Sequence, residues 1–335
     1  MSEPNLALQY ADLRMDVALE LGYGVTAENW TAGQIAQIDR VMRNGYRRFL
    51  WPDILPGERI PHQWTFLHPT AEIILWPTTT GEVDGTPVYT APSSAISLTT
   101  GTAYPTMVGK SITFITSGNS YTILSYVSAS SITVSGDASG EDEDDDFTIT
   151  ADGDYRMPDD FGNMIGSLFI QESNSLSSEV FQKNVSDILR RRAENELVDT
   201  PTVFAIAPAT MTGQTTGQRQ TLMAYPTPSA VITAKYRYSI LPDAITATYT
   251  FHRGTETHSK TVRSAILSQV DRFRRTDSGH EADFINNLRV SVMLDRLSES
   301  PDNMGYNGDR SGSLRDINTV IRNQRATITY NGEIV

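Results

Sequence analysis

The sequence predicts an α+β fold: a helical host domain of about four long helices plus a sheet, carrying an inserted small antiparallel β-module of sandwich or barrel type. Three observations predict it. Apolar residues recur at helical spacing near both ends of the chain. From about residue 76 the texture turns to Thr, Ser and Gly, with short β-type runs and no helical period. The charge breaks at the same place. Residues 1–75 carry 6 basic and 9 acidic side chains, residues 76–154 one Lys against 11 acidic side chains, and the rest 20 of each sign. Nearly all of the net charge of -13 therefore sits in one middle segment.

Taken in order, Leu6, Tyr10, Leu13, Val17 and Leu21 predict a helix over 6–21, stopped by Gly22 and Gly24. Thr31 opens a second helix, with Gln34 three residues on as a capping box. Ile35, Ile38, Met42 and Phe49 form its stripe, and Pro52 ends it. Residues 53–75, with three prolines, read as loop and short extended pieces.

In the middle segment the β-type runs are Ala95–Leu98, Lys110–Ile115, Tyr121–Tyr126, Ser131–Val134 and Phe147–Thr150, with turn signals at 117–119 and 135–137. The host sheet is predicted from Met164–Ile170, Val203–Ala207, Gln220–Ala224, Val231–Tyr238 and Thr246–Thr250, with a short helix at Asn184–Glu196. Ser259 caps a third long helix carrying Val262, Ile266, Val270 and Phe273 on one face. A fourth runs from His280 to Ser298, with Phe284, Leu288, Ser291 and Asp295 along one line. Residues 300–313 are rich in Gly, Asn and Asp, and the chain ends in an alternating strand pattern. The expected domains are a discontinuous host (1–75 and 155–299), an acidic insert (76–154), and a flexible linker with a C-terminal strand or tail (300–335).

Composition narrows the function classes. With 39% hydrophobic and 20% charged residues the chain is globular, with material for a sizeable core. It has no cysteine, which excludes disulfides and thiolate metal sites. No run approaches the ~20 apolar residues of a membrane helix, and the start lacks a basic stretch followed by an apolar core. The expectation is synthesis in a cytoplasm and no membrane partner. The acidity argues against tight DNA binding, which needs basic groups to displace counterions.

Motifs for chemistry are weak. MetValGlyLysSer at 107–111 resembles the end of a phosphate-binding loop, but Tyr104 stands where its first glycine belongs. Asp142, Asp144 and Asp146 have calcium-loop spacing, yet Phe147 occupies the glycine place, and a solvated hairpin loop explains the run. The five histidines form no zinc-protease motif, and no GxSxG elbow occurs. Asp159–Asp160 follow a proline, where a turn or cap role suffices. Arg190, Arg191 and Arg192 are the only basic run, and the acidic residues just after them favour intersubunit or helix-surface salt bridges over nucleic acid. No catalytic or cofactor-binding residue is assigned; the chain is expected not to be an enzyme and to need no cofactor.

Several segments taken together resemble the head-to-tail adaptor (connector, or neck) proteins of tailed bacteriophages. They are TyrAlaAspLeu at 10–13, ValAlaLeuGluLeuGlyTyrGly at 17–24, Trp30, AsnGlyTyrArgArgPheLeuTrpPro at 44–52 and TyrArgMetProAspAspPheGly at 155–162. Others are ValPheAlaIleAlaPro at 203–208, TyrProThrPro at 225–228, TyrArgTyrSerIleLeuPro at 236–242 and AspPheIleAsnAsnLeuArgValSerValMetLeuAspArg at 283–296. The likeness rests on their order and covers about three quarters of the chain; the β-insert departs from it. It implies a structural virion protein at the neck, made in the host bacterial cytoplasm. It further implies a ring of about twelve copies, a closed cyclic assembly, between the portal protein and a tail or nozzle protein. Double-stranded DNA would pass through without sequence-specific binding. A C-terminal extension would dock on the portal, and the apolar positions of this tail are Ile317, Ile321, Ile328, Tyr330 and Ile334. The alternative is another tail component, or a receptor-binding virion protein whose β-insert recognises a ligand.

Overall fold

The computed structural model describes residues 6–171, 177–209, 217–276 and 278–299, with the backbone of 329–330 and 333–334. In chain order the first elements are α1 (Tyr10–Leu21), α2 (Ala32–Leu50), β1 (Thr70–Leu75), β2 (Thr79–Glu82), β3 (Val88–Thr90), β4 (Ser93–Ser97), β5 (Ser111–Phe114), β6 (Ser120–Ser128), β7 (Ser131–Ser135) and β8 (Asp146–Ile149). Then come β9 (Asp154–Arg156), β10 (Phe161–Gln171), β11 (Ser177–Gln182), α3 (Val185–Glu194), β12 (Val203–Pro208), β13 (Gln220–Tyr225), β14 (Ile232–Ile240), α4 (Ser259–Arg274), α5 (His280–Glu299), β15 (Thr329–Tyr330) and β16 (Glu333–Ile334).

The expected α+β class, a helical host with a small insert, is overturned. The molecule is mostly β, built on two seven-stranded sheets, ordered β1-β14-β10-β11-β12-β13-β9 and β2-β8-β5-β6-β7-β4-β3. The physical reason is recruitment. Residues 70–75, 154–156 and 177–182 are too short to show a period of their own, yet each pairs with a longer strand. In the second sheet Val88–Thr90 joins the longer Ser93–Ser97 in the same way, and Thr79–Glu82 pairs with Asp146–Ile149. Conversely, Thr246–Thr250 forms no strand, because Thr246 Oγ1 accepts the N–H groups of Thr248 and Tyr249 and holds the backbone in a turn.

The helices form one layer. α2 starts on the Thr31–Gln34 capping box and stops at Trp51, before Pro52. α1 begins later than its apolar spacing suggests, because Gln9 and Asp12 cap it and the backbone of Gln9 bridges Phe251. α4 packs against α1, α2 and α5. Ile38, Met42 and Phe49 of α2, Val262, Ile266 and Val270 of α4, and Phe284, Leu288 and Val292 of α5 are buried, while Phe273 points outward. Trp64 lies in the same core, tilted against Phe49, stacked with Phe66 and edge-on to His258.

One contiguous core runs through the helices and both sheets, and a smaller cluster of Ile188, Val203, Ala205 and Met223 lies under α3. All pairing of β2 to β8 stays within that set. β1 and β9, opposite edges of the first sheet, both pack on the 3-10 turn Pro105–Met107 of the second, so the first sheet curls toward closure there. No helix of the described residues is long and apolar enough to cross a membrane. In the C-terminal tail, β15 and β16 pair with each other as an antiparallel hairpin in place of the single expected strand.

Candidate interaction surfaces

The motifs singled out for chemistry are occupied within the chain. Lys110 of the phosphate-loop-like stretch pairs with Asp152 at 2.6 Å. His62 Nε2 lies 2.8 Å from Asp295, which also accepts the Thr65 N–H and hydroxyl at 3.1 and 2.6 Å. These contacts latch the C-terminal half of α5 to the segment after α2. His252 Nε2 lies 2.8 Å from Ser259 Oγ, a pairing with the outline of a nucleophile and base. Both residues are buried, and Ser259 Oγ already accepts the Leu8 N–H, so the pair ties the N-terminal segment to the start of α4. Asp159 pairs with Arg156 and Arg219, while Asp160 accepts the Tyr238 hydroxyl.

The arginine run is paired within the chain. Arg190 pairs with Asp187 and Glu194, and Arg191 with Asp187, all on α3 itself. Arg192 reaches Asp154 at 2.7 Å and the Ala224 carbonyl at 2.9 Å, pinning α3 to β9 and β13. These are helix-surface and inter-element bridges. Ile317, Ile321 and Ile328 lie outside the described residues; Tyr330 and Ile334 fall in the C-terminal hairpin.

In the acidic run, Asp142, Asp144 and Asp146 are exposed, whereas Glu141 and Asp145 turn inward and are buried. Glu141 accepts from Ser117, from Asn119 Nδ2 at 2.8 Å and from Tyr121 Oη at 2.5 Å. Burial pushes the Glu141 carboxyl up, but these donors outweigh it and the net position is below the usual carboxylate range. Tyr121 is pushed up to about 12, by burial first and then by Glu141. Among the described residues no three His, Asp or Glu side chains gather as a metal site.

What remains is surface. α2 is one-sided, with apolar residues in and polar residues out. α1 and α5 are not. Beneath, α1 buries Leu13, Val17 and Ala18; outward it shows Ala11, Met15 and Leu19, four residues apart. α5 buries Phe284, Leu288 and Val292, and outward it shows Val290, Met293, Leu294 and Leu297. Large apolar side chains on a second helix face are normally enclosed, and both ridges are faces that the described residues leave uncovered. They lie on different faces of α4: Arg263 of α4 holds Asp16 of α1, and Thr261 of α4 holds Ser291 of α5. Charges beside the ridges are paired within the chain: Asp16 beside the α1 ridge is held by Arg263 at 2.7 Å, and Arg296 beside the α5 ridge by Glu58 at 2.9 Å. The signal for these ridges was present in the sequence as apolar residues surplus to one stripe. Compared with known protein families and with curated proteins, the chain matches none.

Proposed function

We propose that the chain is a structural subunit of a bacteriophage head-to-tail adaptor ring, joining the portal to the tail and lining the channel through which DNA passes. The single observation that carries this reading is the pair of uncovered ridges on one helix layer. The apolar α1 ridge of one copy and the apolar α5 ridge of the next can cover each other between two copies. Because the two patches differ, the contact is heterologous, and repeated heterologous contacts close into a ring when the rotation allows. The ordered segments that resemble adaptor proteins supply the biological setting. The net charge of -13 suits a conduit wall, since like charge keeps the duplex from adhering. In this reading the helix layer makes the contacts between copies and the sheets support it.

The test is the mass of the purified full chain, alone and mixed with the portal ring of its phage. Joining the portal in about twelve copies, as one closed cyclic ring, supports the reading. A chain that stays monomeric alone and with portal refutes it. A second reading, a tail component that binds a ligand through its second sheet, has its own observation: Val88, Tyr89, Ile115, Leu124 and Val127 of that sheet region are exposed.

A further inference from the structure

We propose that the Glu141–Asp146 loop of the second sheet binds a divalent cation of the calcium type, with the Asp145 carboxylate as its inner ligand. The observation behind it is an orphaned oxygen. Asp145 is 4% exposed. Its Oδ1 accepts the Thr116 N–H at 3.3 Å and the Thr116 hydroxyl at 2.6 Å. Its Oδ2 is buried and meets no donor among the described residues. Neighbouring Glu141 is equally buried, and both of its oxygens are taken by neutral donors. The lone lysine of residues 76–154 is committed to Asp152.

Two buried carboxylates thus sit in one loop without a cationic partner among the described residues. Buried carboxylates are ordinarily paired with a cation or coordinate a metal, because desolvating the charge is costly. The exposed side chains of Asp142, Glu143, Asp144 and Asp146 add further negative charge around them. Asp144 takes a left-handed conformation (φ 61°), folding the acidic run back on itself.

The ligand class follows from the donors. Every candidate ligand in the loop is oxygen, which selects hard cations. Because three acidic side chains do not converge, hydroxyls, backbone carbonyls and water must complete the shell. Calcium, with its flexible shell of six to eight oxygens, tolerates this better than magnesium. The chemistry is that of weaker calcium modules, whose dissociation constants are about 0.1–1 mM. The sequence spacing pointed to Asp142, Asp144 and Asp146; the structure moves the inner ligand to Asp145 and leaves those three as the surrounding field.

The experiment is a terbium titration of the full-length, chelator-treated protein with excitation of tyrosine, since Tyr121 touches Glu141 and can act as antenna. Saturable emission in the wild type, displaced by calcium at about 0.1–1 mM and much less by magnesium, is expected. Calcium should also raise the melting temperature, because it binds the folded chain alone. Asp145→Asn keeps the Thr116 contacts on Oδ1 and should weaken binding at least about tenfold, the loss of a charged ligand. Should that variant fail to fold, the exposed pair Asp142→Asn/Asp144→Asn leaves the core untouched and should weaken calcium several-fold. A wild type without saturable emission overturns the proposal. So does wild-type affinity in a folded Asp145→Asn protein, or, where that variant does not fold, in the exposed pair.

Discussion

The Tyr155 hydroxyl donates to the Trp76 carbonyl across 2.8 Å, and the two rings meet edge-on with centroids 5.8 Å apart. Trp76 follows β1, where the chain leaves the first sheet, and Tyr155 lies in β9, where it returns. Both side chains are fully buried, so one hydrogen bond and one ring contact close the neck of the second sheet. Thr106 donating to the Ile74 carbonyl at 3.0 Å reinforces the same junction. Tyr155→Phe keeps the ring and strands the carbonyl. The expected loss is about 1–3 kcal/mol, the cost of a buried acceptor left unpaired. Urea denaturation measures it, and an unchanged midpoint would show that the junction carries no such strain.

The sequence made the helix ends and most longer strands legible, because their signals are local: the Thr31–Gln34 box, Gly22 with its left-handed φ of 80°, and the buried line Phe284, Leu288, Ser291, Asp295. The sheets as wholes were not legible. β1 pairs with β14, more than 150 residues away along the chain, as the Thr70↔Arg237 partners show, and no local pattern encodes such a partner. Trp76 and Tyr155 likewise meet only in three dimensions. In the acidic run, spacing drew attention to alternate aspartates, but the loop backbone turns Glu141 and Asp145 inward.

Gly45 sits where α2 crosses α4. A Cβ placed there would come within 3.0 Å of the Ile266 backbone, which cannot rotate aside. In an open helix interior Gly→Ala would gain about 1 kcal/mol from propensity. Here the helices must part, and overpacking costs about 1–3 kcal/mol, so the sign reverses. Gly45→Ala is expected to lower the melting temperature. A raised melting temperature would mean that the layer yields more easily than the close approach implies.

His258 gives the fold an acid sensitivity. It packs among Phe49, Trp64 and Phe66. Burial lowers its pKa below 6.5, with the Asp295 charge opposing and His252 and His62 adding to the lowering. The unfolded chain then takes up a proton that the folded chain refuses. The stability contributed is therefore complete above about pH 6.5, the ordinary histidine value, and is lost as pH falls from there to the lowered folded value. His258→Phe fits the aromatic surroundings and removes both the titration and the unpaired Nδ1. Melting curves from pH 7.5 to 5, a range of about 2.5 units spanning the histidine value, should fall less for the variant. Parallel curves would assign the acid sensitivity to other groups.

The two uncovered ridges make a prediction that separates assembly from stability. Leu19 is 59% exposed on α1 and Leu297 57% exposed on α5. Substituting glutamate at either site touches little of the core, so each variant should hold within about 0.5 kcal/mol of the wild type in denaturant. The effect on self-association should be large, because a charge must be buried in an apolar contact. Leu297→Glu and Leu19→Glu each place that charge on an exposed apolar ridge. Light scattering of each variant should show a shift toward monomer under conditions where the wild type forms rings. If only Leu297→Glu disrupts the ring, α5 meets a different surface and α1 faces solvent or another protein. If both variants assemble normally while the wild type forms rings, the ring stands but its contacts lie elsewhere.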